Sequence, residues 1–196
     1  MKKLVLLFAA LLVAGCGEKS LSDSAIEKAL EEAVELDSLQ ERNDLLYQVN
    51  KSEPYSGWVK EMYDSGQVQV LTQYKDGKEH GLVTEWHPNG QKKFQSVAKD
   101  GKAQGSYTEW HENGNKSSEG TYKDGKPDGL LTFWHENGQK KGEGTFKDGK
   151  IDGLFTEWHP NGQKEYEGTH KDGKELSAKY WNSKGEEVDS QEEAFE

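Results

Sequence analysis

Gly57, Gly81, Gly105, Gly129 and Gly153 stand 24 residues apart, and this period constrains the fold more than any other feature of the 196-residue chain. Trp86, Trp110, Trp134 and Trp158 keep the same step, as do Asn-Gly pairs beginning at Asn89, Asn113, Asn137 and Asn161. So do Lys-Asp-Gly triplets beginning at Lys75, Lys99, Lys123, Lys147 and Lys171. A fixed period of this length marks an array in which each unit is one supersecondary element, stable only against its neighbours. The Gly57 unit is degenerate, with Met62 at the Trp position and Ser65-Gly66 at the turn. The last unit slips by one residue, at Trp181 and Lys184-Gly185. Atypical terminal units are what capping a stack requires.

Each unit reads as two strands and two turns. Leu82, Thr84 and Trp86 alternate with Val83, Glu85 and His87. Beyond the turn, Lys92, Phe94, Ser96 and Ala98 alternate with a set that is uniformly polar in the later copies. This two-residue period predicts strands with an aromatic-and-small face and a polar face. If Trp86 and Phe94 share a face, paired residue numbers must sum to an even value, which a two-residue Asn-Gly turn breaks. A three-residue loop, 88–90, pairs His87 with Gln91 and Trp86 with Lys92. Such a loop is a type I turn closed by a left-handed glycine. Pro88 and Pro160 fit its first position. Gly90, Gly114, Gly138 and Gly162 are therefore expected at positive φ. The Lys-Asp-Gly segment is a second turn whose type stays open.

The ends of the chain differ from this body. Lys2 and Lys3 precede an apolar run over residues 4–13, too short for a permanent membrane span and suited to a signal peptide over residues 1–15. Val13-Ala14-Gly15-Cys16 resembles a bacterial lipobox. That resemblance implies cleavage before Cys16, acylation of Cys16 (palmitate-type chains) and membrane anchoring. Gly17, rather than Asp, follows the cysteine, which implies outer-membrane sorting in a Gram-negative host. Cys16 is the only cysteine, so no internal disulfide forms. Residues 16–38 are acidic, and Ser22, Asp23 and Ser24 before Ile26, Leu30, Ala33 and Val34 predict one helix over residues 22–37. Asn43-Asp44 between two apolar stretches favours a hairpin over residues 39–49, with a longer helix as the alternative. Residues 186–196 are an acidic tail, expected to fray.

Residues 57–174 hold 17 Lys against 19 Asp or Glu, so the repeat body is near neutral although the chain carries −11. No basic stripe is expected. Nucleic-acid binding and electrostatic docking on anionic lipid lose their usual driving force.

The string Gly-Leu-Val-Thr-Glu-Trp-His-Pro-Asn-Gly-Gln-Lys at residues 81–92, with its Lys-Asp-Gly-Lys turn, resembles the bacterial variant of the MORN repeat, over residues 39–185. This variant occurs in lipoproteins and in YwqK-type proteins labelled antitoxins. The resemblance implies an all-β fold: an elongated, twisted antiparallel meander of 24-residue hairpin repeats with one short N-terminal helix. It implies no biochemical activity. An inhibitor in a toxin–antitoxin pair is the alternative to a lipid-anchored binding or scaffold module of the cell envelope.

The recurring His87, His111, His135 and His159 invite a metal reading. Equivalent positions lie two strands apart, roughly 10 Å, whereas a zinc ion holds its ligands at about 2.1 Å. Glu85, Glu109 and Glu157 invite a glycosidase reading, but a repeat places every copy in one environment, and paired acid–base catalysis needs two. No enzyme activity, metal or cofactor is expected. The candidate binding face is Trp86, Trp110, Trp134 and Trp158 interleaved with Phe94, Tyr122, Phe146 and Tyr166. It is either the core of the layer or a groove for a protein or glycan partner.

Overall fold

A computed structural model describes residues 22–194. Cys16 and the leader lie outside the described residues. Helix α1 (Asp23–Glu32) is followed by β1 (Val34–Glu35), a single 3-10 turn (Leu36–Ser38), and the hairpin β2 (Leu39–Arg42) and β3 (Leu45–Gln48). The repeat body runs through β4 (Gly57–Met62), β5 (Val68–Lys75), β6 (Lys78–Trp86), β7 (Lys92–Lys99), β8 (Lys102–Trp110) and β9 (Lys116–Lys123). It continues through β10 (Lys126–Pro127), β11 (Gly129–Trp134), β12 (Lys140–Lys147), β13 (Lys150–Trp158), β14 (Lys164–Lys171) and β15 (Lys174–Trp181). Strand β16 (Glu187–Val188) and helix α2 (Gln191–Ala194) close the described chain. Strands β1 and β4–β16 form one 14-stranded sheet in which sequence neighbours pair antiparallel, except that β1 pairs in parallel with β4 and that β10 and β11 both pair with β9. This is the all-β meander, with one helix at its N-terminal end.

The N-terminal helix is shorter than the apolar spacing predicts. Ser22 caps it, its hydroxyl accepting from the Ala25 N–H at 3.3 Å. It ends at Glu32, and Ala33 is already extended at φ −71° and ψ 134°. Val34 and Glu35 leave the helix to pair in parallel with Val59 and Lys60 of β4. The unpaired edge of β4 offers backbone partners that another helical turn cannot use, and a two-residue strand blunts that edge. At the far end, β16 pairs with β15 in the same way, and Ala194 of α2 is buried. The acidic tail thus contributes a short strand and a helical turn as far as Ala194.

The hairpin β2–β3 forms around Asn43 and Asp44, both at positive φ (53° and 60°), which is a type I′ turn. It stands apart from the main sheet, yet the Leu46 N–H donates to the Gly77 carbonyl at 3.0 Å, docking it on the first Lys-Asp-Gly turn.

Helix α1 covers one end of one sheet face. Ile26 and Ala29 pack with Leu71 and Leu82, flanked by Leu30, Ala33, Trp58 and Trp86.

Candidate functional site

The two turn types separate cleanly. At the Asn-Gly turn, the His87 N–H donates to the Gln91 carbonyl and the Gly90 N–H to the His87 carbonyl, both at 2.8 Å. Gly90, Gly114, Gly138 and Gly162 lie at φ +84°, +84°, +83° and +86°. This is the three-residue loop with a left-handed glycine. At each Lys-Asp-Gly turn, Asp has φ between +50° and +53° and Gly between +78° and +84°. Positive φ at both central residues makes these type I′ turns, which match the twist of the flanking strands. Asp at the first position supplies a short polar side chain that tolerates the left-handed region.

The aromatic ladder is not one-sided. Trp86 pairs with Lys92, but Glu85 already pairs with Phe94, a shift of one residue across a bulge at Lys92-Lys93. The same shift recurs at Trp110, Trp134 and Trp158. The parity argument holds inside the turn and fails one residue beyond it, because a bulge flips the register of everything that follows. Trp86, Trp110, Trp134 and Trp158 share one face with the Thr and Leu positions of their strands. Phe94, Tyr122, Phe146 and Tyr166 face the other side with Tyr107 and Phe155.

That second face is filled by its own rings. Tyr107 lies 4.7 Å from Tyr122 between centroids and 6.3 Å from Phe94. Phe155 lies 6.3 Å from Phe146 and 6.4 Å from Tyr166. Tyr107 and Tyr166 are buried. Aromatic side chains lie across facing glycines: a Cβ on Gly120 would stand 2.7 Å from Leu131 and 3.0 Å from Tyr107. Burial raises the Tyr166 phenol well above its ordinary pKa, and its hydroxyl donates to Glu175 at 2.7 Å. This is core built from one layer.

The tryptophan face is a lattice of a different kind. The bulge brings Lys116 and Glu119, three residues apart, onto one face as an ion pair at 2.6 Å. Lys140–Glu143 and Lys164–Glu167 repeat it at 2.7 and 2.6 Å. The same lysines lie 5.8, 5.4 and 4.9 Å over the rings of Trp134, Trp158 and Trp181, the next unit's indole. Trp134, Trp158 and Trp181 are each half-buried beneath a lysine. Leu130 and Leu154 on this face stay 57% and 54% exposed, whereas the equivalent Leu82, under α1, is 9% exposed.

The four recurring histidines each bond to the next unit rather than to one another. The Nε2 atoms of His87, His111, His135 and His159 reach the carbonyl oxygens of Trp110, Trp134, Trp158 and Trp181 at 2.8, 2.9, 2.7 and 2.9 Å. A carbonyl only accepts, so each Nε2 carries a proton. Asn89, Asn113, Asn137 and Asn161 act beside them. Each Oδ1 accepts from the N–H two residues on at 2.9–3.0 Å. Each Nδ2 donates to the next unit at Glu112, Glu136, Pro160 and Ser183 at 2.7–2.8 Å. Among the described residues, no group of three or more His, Cys, Asp or Glu could hold a metal ion. Burial and the neighbouring Glu165 raise the Glu157 carboxyl, opposed by Lys141. Burial and Glu61 raise Glu79. These two stand at separate positions along the sheet, not in one cleft.

The opposite edge carries what the charge sum conceals. The lysines flanking each Asp-Gly turn pair directly across it: Lys75 with Lys78, Lys99 with Lys102, Lys123 with Lys126, Lys147 with Lys150 and Lys171 with Lys174. Ten lysines and five aspartates give this edge +5, and the rest of residues 57–174 carries −7. The near-neutral body thus has a basic stripe after all, because the topology puts every copy of this turn on one edge. The signal was in the sequence, as a Lys on both sides of all five Asp-Gly pairs.

These features define a single-layer β-meander repeat protein whose units are stapled along one edge. Four of its units, residues 79–100, 103–124, 127–148 and 151–172, match the MORN repeat variant. The chain is similar to that repeat across its central sheet, and the terminal units fall outside the match. No curated protein matches the chain.

Proposed function

We propose that the protein is a non-catalytic binding module of the bacterial cell envelope, anchored through lipidated Cys16. Its uncovered tryptophan face takes an amphipathic helix of a protein partner. The observation that carries this reading is the contrast between Leu82, under α1, and the equivalent Leu130 and Leu154, which lie open beside Trp134 and Trp158. The chain's own α1 shows the kind of element this face accepts: a short helix offering Ile26, Ala29 and Leu30. No described helix is long and apolar enough to cross a membrane, and the anchor assigned to Cys16 needs none.

Photo-crosslinking in intact cells tests the face. A crosslinker at position 154 is expected to give one discrete adduct, lost on Leu130→Glu, while a crosslinker at Glu187 gives none. Identical adducts from both positions, or no adduct, would overturn the reading. The anchor is tested separately, since Cys16→Ser should release the chain from the membrane fraction. Unchanged fractionation removes that part.

A further inference from the structure

Lysines on this molecule fall into two populations. Those on the tryptophan face are compensated: Lys92, Lys116, Lys140 and Lys164 each lie within 3.4 Å of a carboxylate. Those flanking the Asp-Gly turns are exposed, and among the described residues only Lys171 forms an ion pair, with Asp152 at 2.9 Å. Nine lysines of a chain with an excess of eleven acids stay unpaired. They are placed directly opposite one another, where like charges destabilise a sheet.

We propose that this edge binds a linear acidic polysaccharide along its length. Successive turns are two strands apart, so pairs of cations recur about every 10 Å, a step comparable to one disaccharide of an acidic glycan. Between turns the surface is concave: a depression of about 700 Å³ is lined by Lys78, Lys99, Lys102 and Lys123 with Gln104, Asp100 and Asp124. It spans three consecutive turns and forms a trough rather than isolated tips.

The shape of the edge favours a glycan over a flat anionic membrane. Strands in a sheet rotate by about 20–25° from one to the next. The eight strand steps from first turn to last therefore swing the edge through roughly 160–200°. A flexible chain follows that path, and a plane meets only part of it. Single contacts are weak and screened by salt, and tethered repetition multiplies them.

Titration calorimetry of the full-length chain carrying Cys16→Ser, so that no acyl chain contributes, tests the proposal. The probe is hyaluronate, with one carboxylate per disaccharide. Binding is expected at low salt and should weaken steeply as salt rises. Replacing Lys99, Lys102, Lys123, Lys126, Lys147 and Lys150 with Gln should weaken it at least tenfold. Replacing the distant Lys28 and Lys184 with Gln should leave it unchanged. The circular dichroism of the six-site variant should match the parent, which separates lost binding from lost folding. The proposal is overturned if hyaluronate does not bind, if the six-site variant binds as the parent does, or if only phosphatidylglycerol vesicles bind. The crosslinking at position 154 reports on the opposite kind of surface, so either result can fail without the other.

Discussion

The two edges of the sheet are built from turns of similar length and composition, yet they do different work. Along the Asn-Gly edge, four units, from His87-Asn89 to His159-Asn161, each send a histidine and an asparagine side chain into the next. Along the Lys-Asp-Gly edge, contact between units is mainly one backbone bond. The turn glycine N–H donates to a carbonyl of the preceding unit, as from Gly125 to Ala103 at 2.9 Å. The first edge spends its polar side chains on holding the stack; on the second, Asp100 bonds His80 and Lys171 pairs with Asp152, while the other nine turn-flanking lysines form no ion pair among the described residues. In a repeat protein, where stability is a sum over neighbouring interfaces, one stapled edge suffices, and the other can diverge toward binding.

Proline breaks this comparison most sharply. Glu112 occupies the position held by Pro88 and Pro160 in sister units, so Glu112→Pro should be tolerated. Asp124 sits at φ +51°, which a proline ring at about −65° cannot adopt. Asp124→Pro should cost about 3 kcal/mol or more in denaturant unfolding. Equal effects at the two sites would mean that the turn types are not distinct.

Next in size is loss of a staple. His111→Ala leaves the Trp134 carbonyl without its side-chain donor and should cost about 1–2 kcal/mol. Lys126→Ala on the other edge should stay within about 0.5 kcal/mol. A matching loss at Lys126 would assign structural work to the lysine edge and weaken its role as a free surface.

The smallest effect is electrostatic. Glu157, beside the Asn-Gly edge, has its carboxyl raised by burial and by Glu165. The fold therefore favours its protonated form. That contribution to stability is complete below the unfolded pKa and is lost as pH rises through the raised folded value. Glu157→Gln should thus melt slightly higher than the parent at neutral pH, with the difference shrinking on acidification. A difference that grows toward acid would reverse the sign and refute the assignment.

The period, the strand positions and the geometry of the Asn-Gly loop were legible in the sequence because each depends on local chemistry. Pro88 and Pro160 suit the first central position of a type I turn, and a glycine closes the loop. The face of Phe94 was not legible. A single bulged residue, Lys93, inverts everything after it, and bulges follow from strand pairing rather than from composition. Helix α1 likewise stops short of the apolar spacing because the edge of β4 competes for Val34.

By itself, the sequence determined that the chain is a stack of hairpins with two alternating turns, since a 24-residue period of Gly, Trp, Asn-Gly and Lys-Asp-Gly admits little else. Only the tertiary structure decided which side chains meet. It put the indoles and the other rings on opposite faces, turned the His and Asn columns into staples, and gathered ten lysines from a near-neutral body onto one edge. The physical reason is that turns and propensities act within a few residues, whereas faces and edges exist only after strands distant in sequence have paired in a definite register.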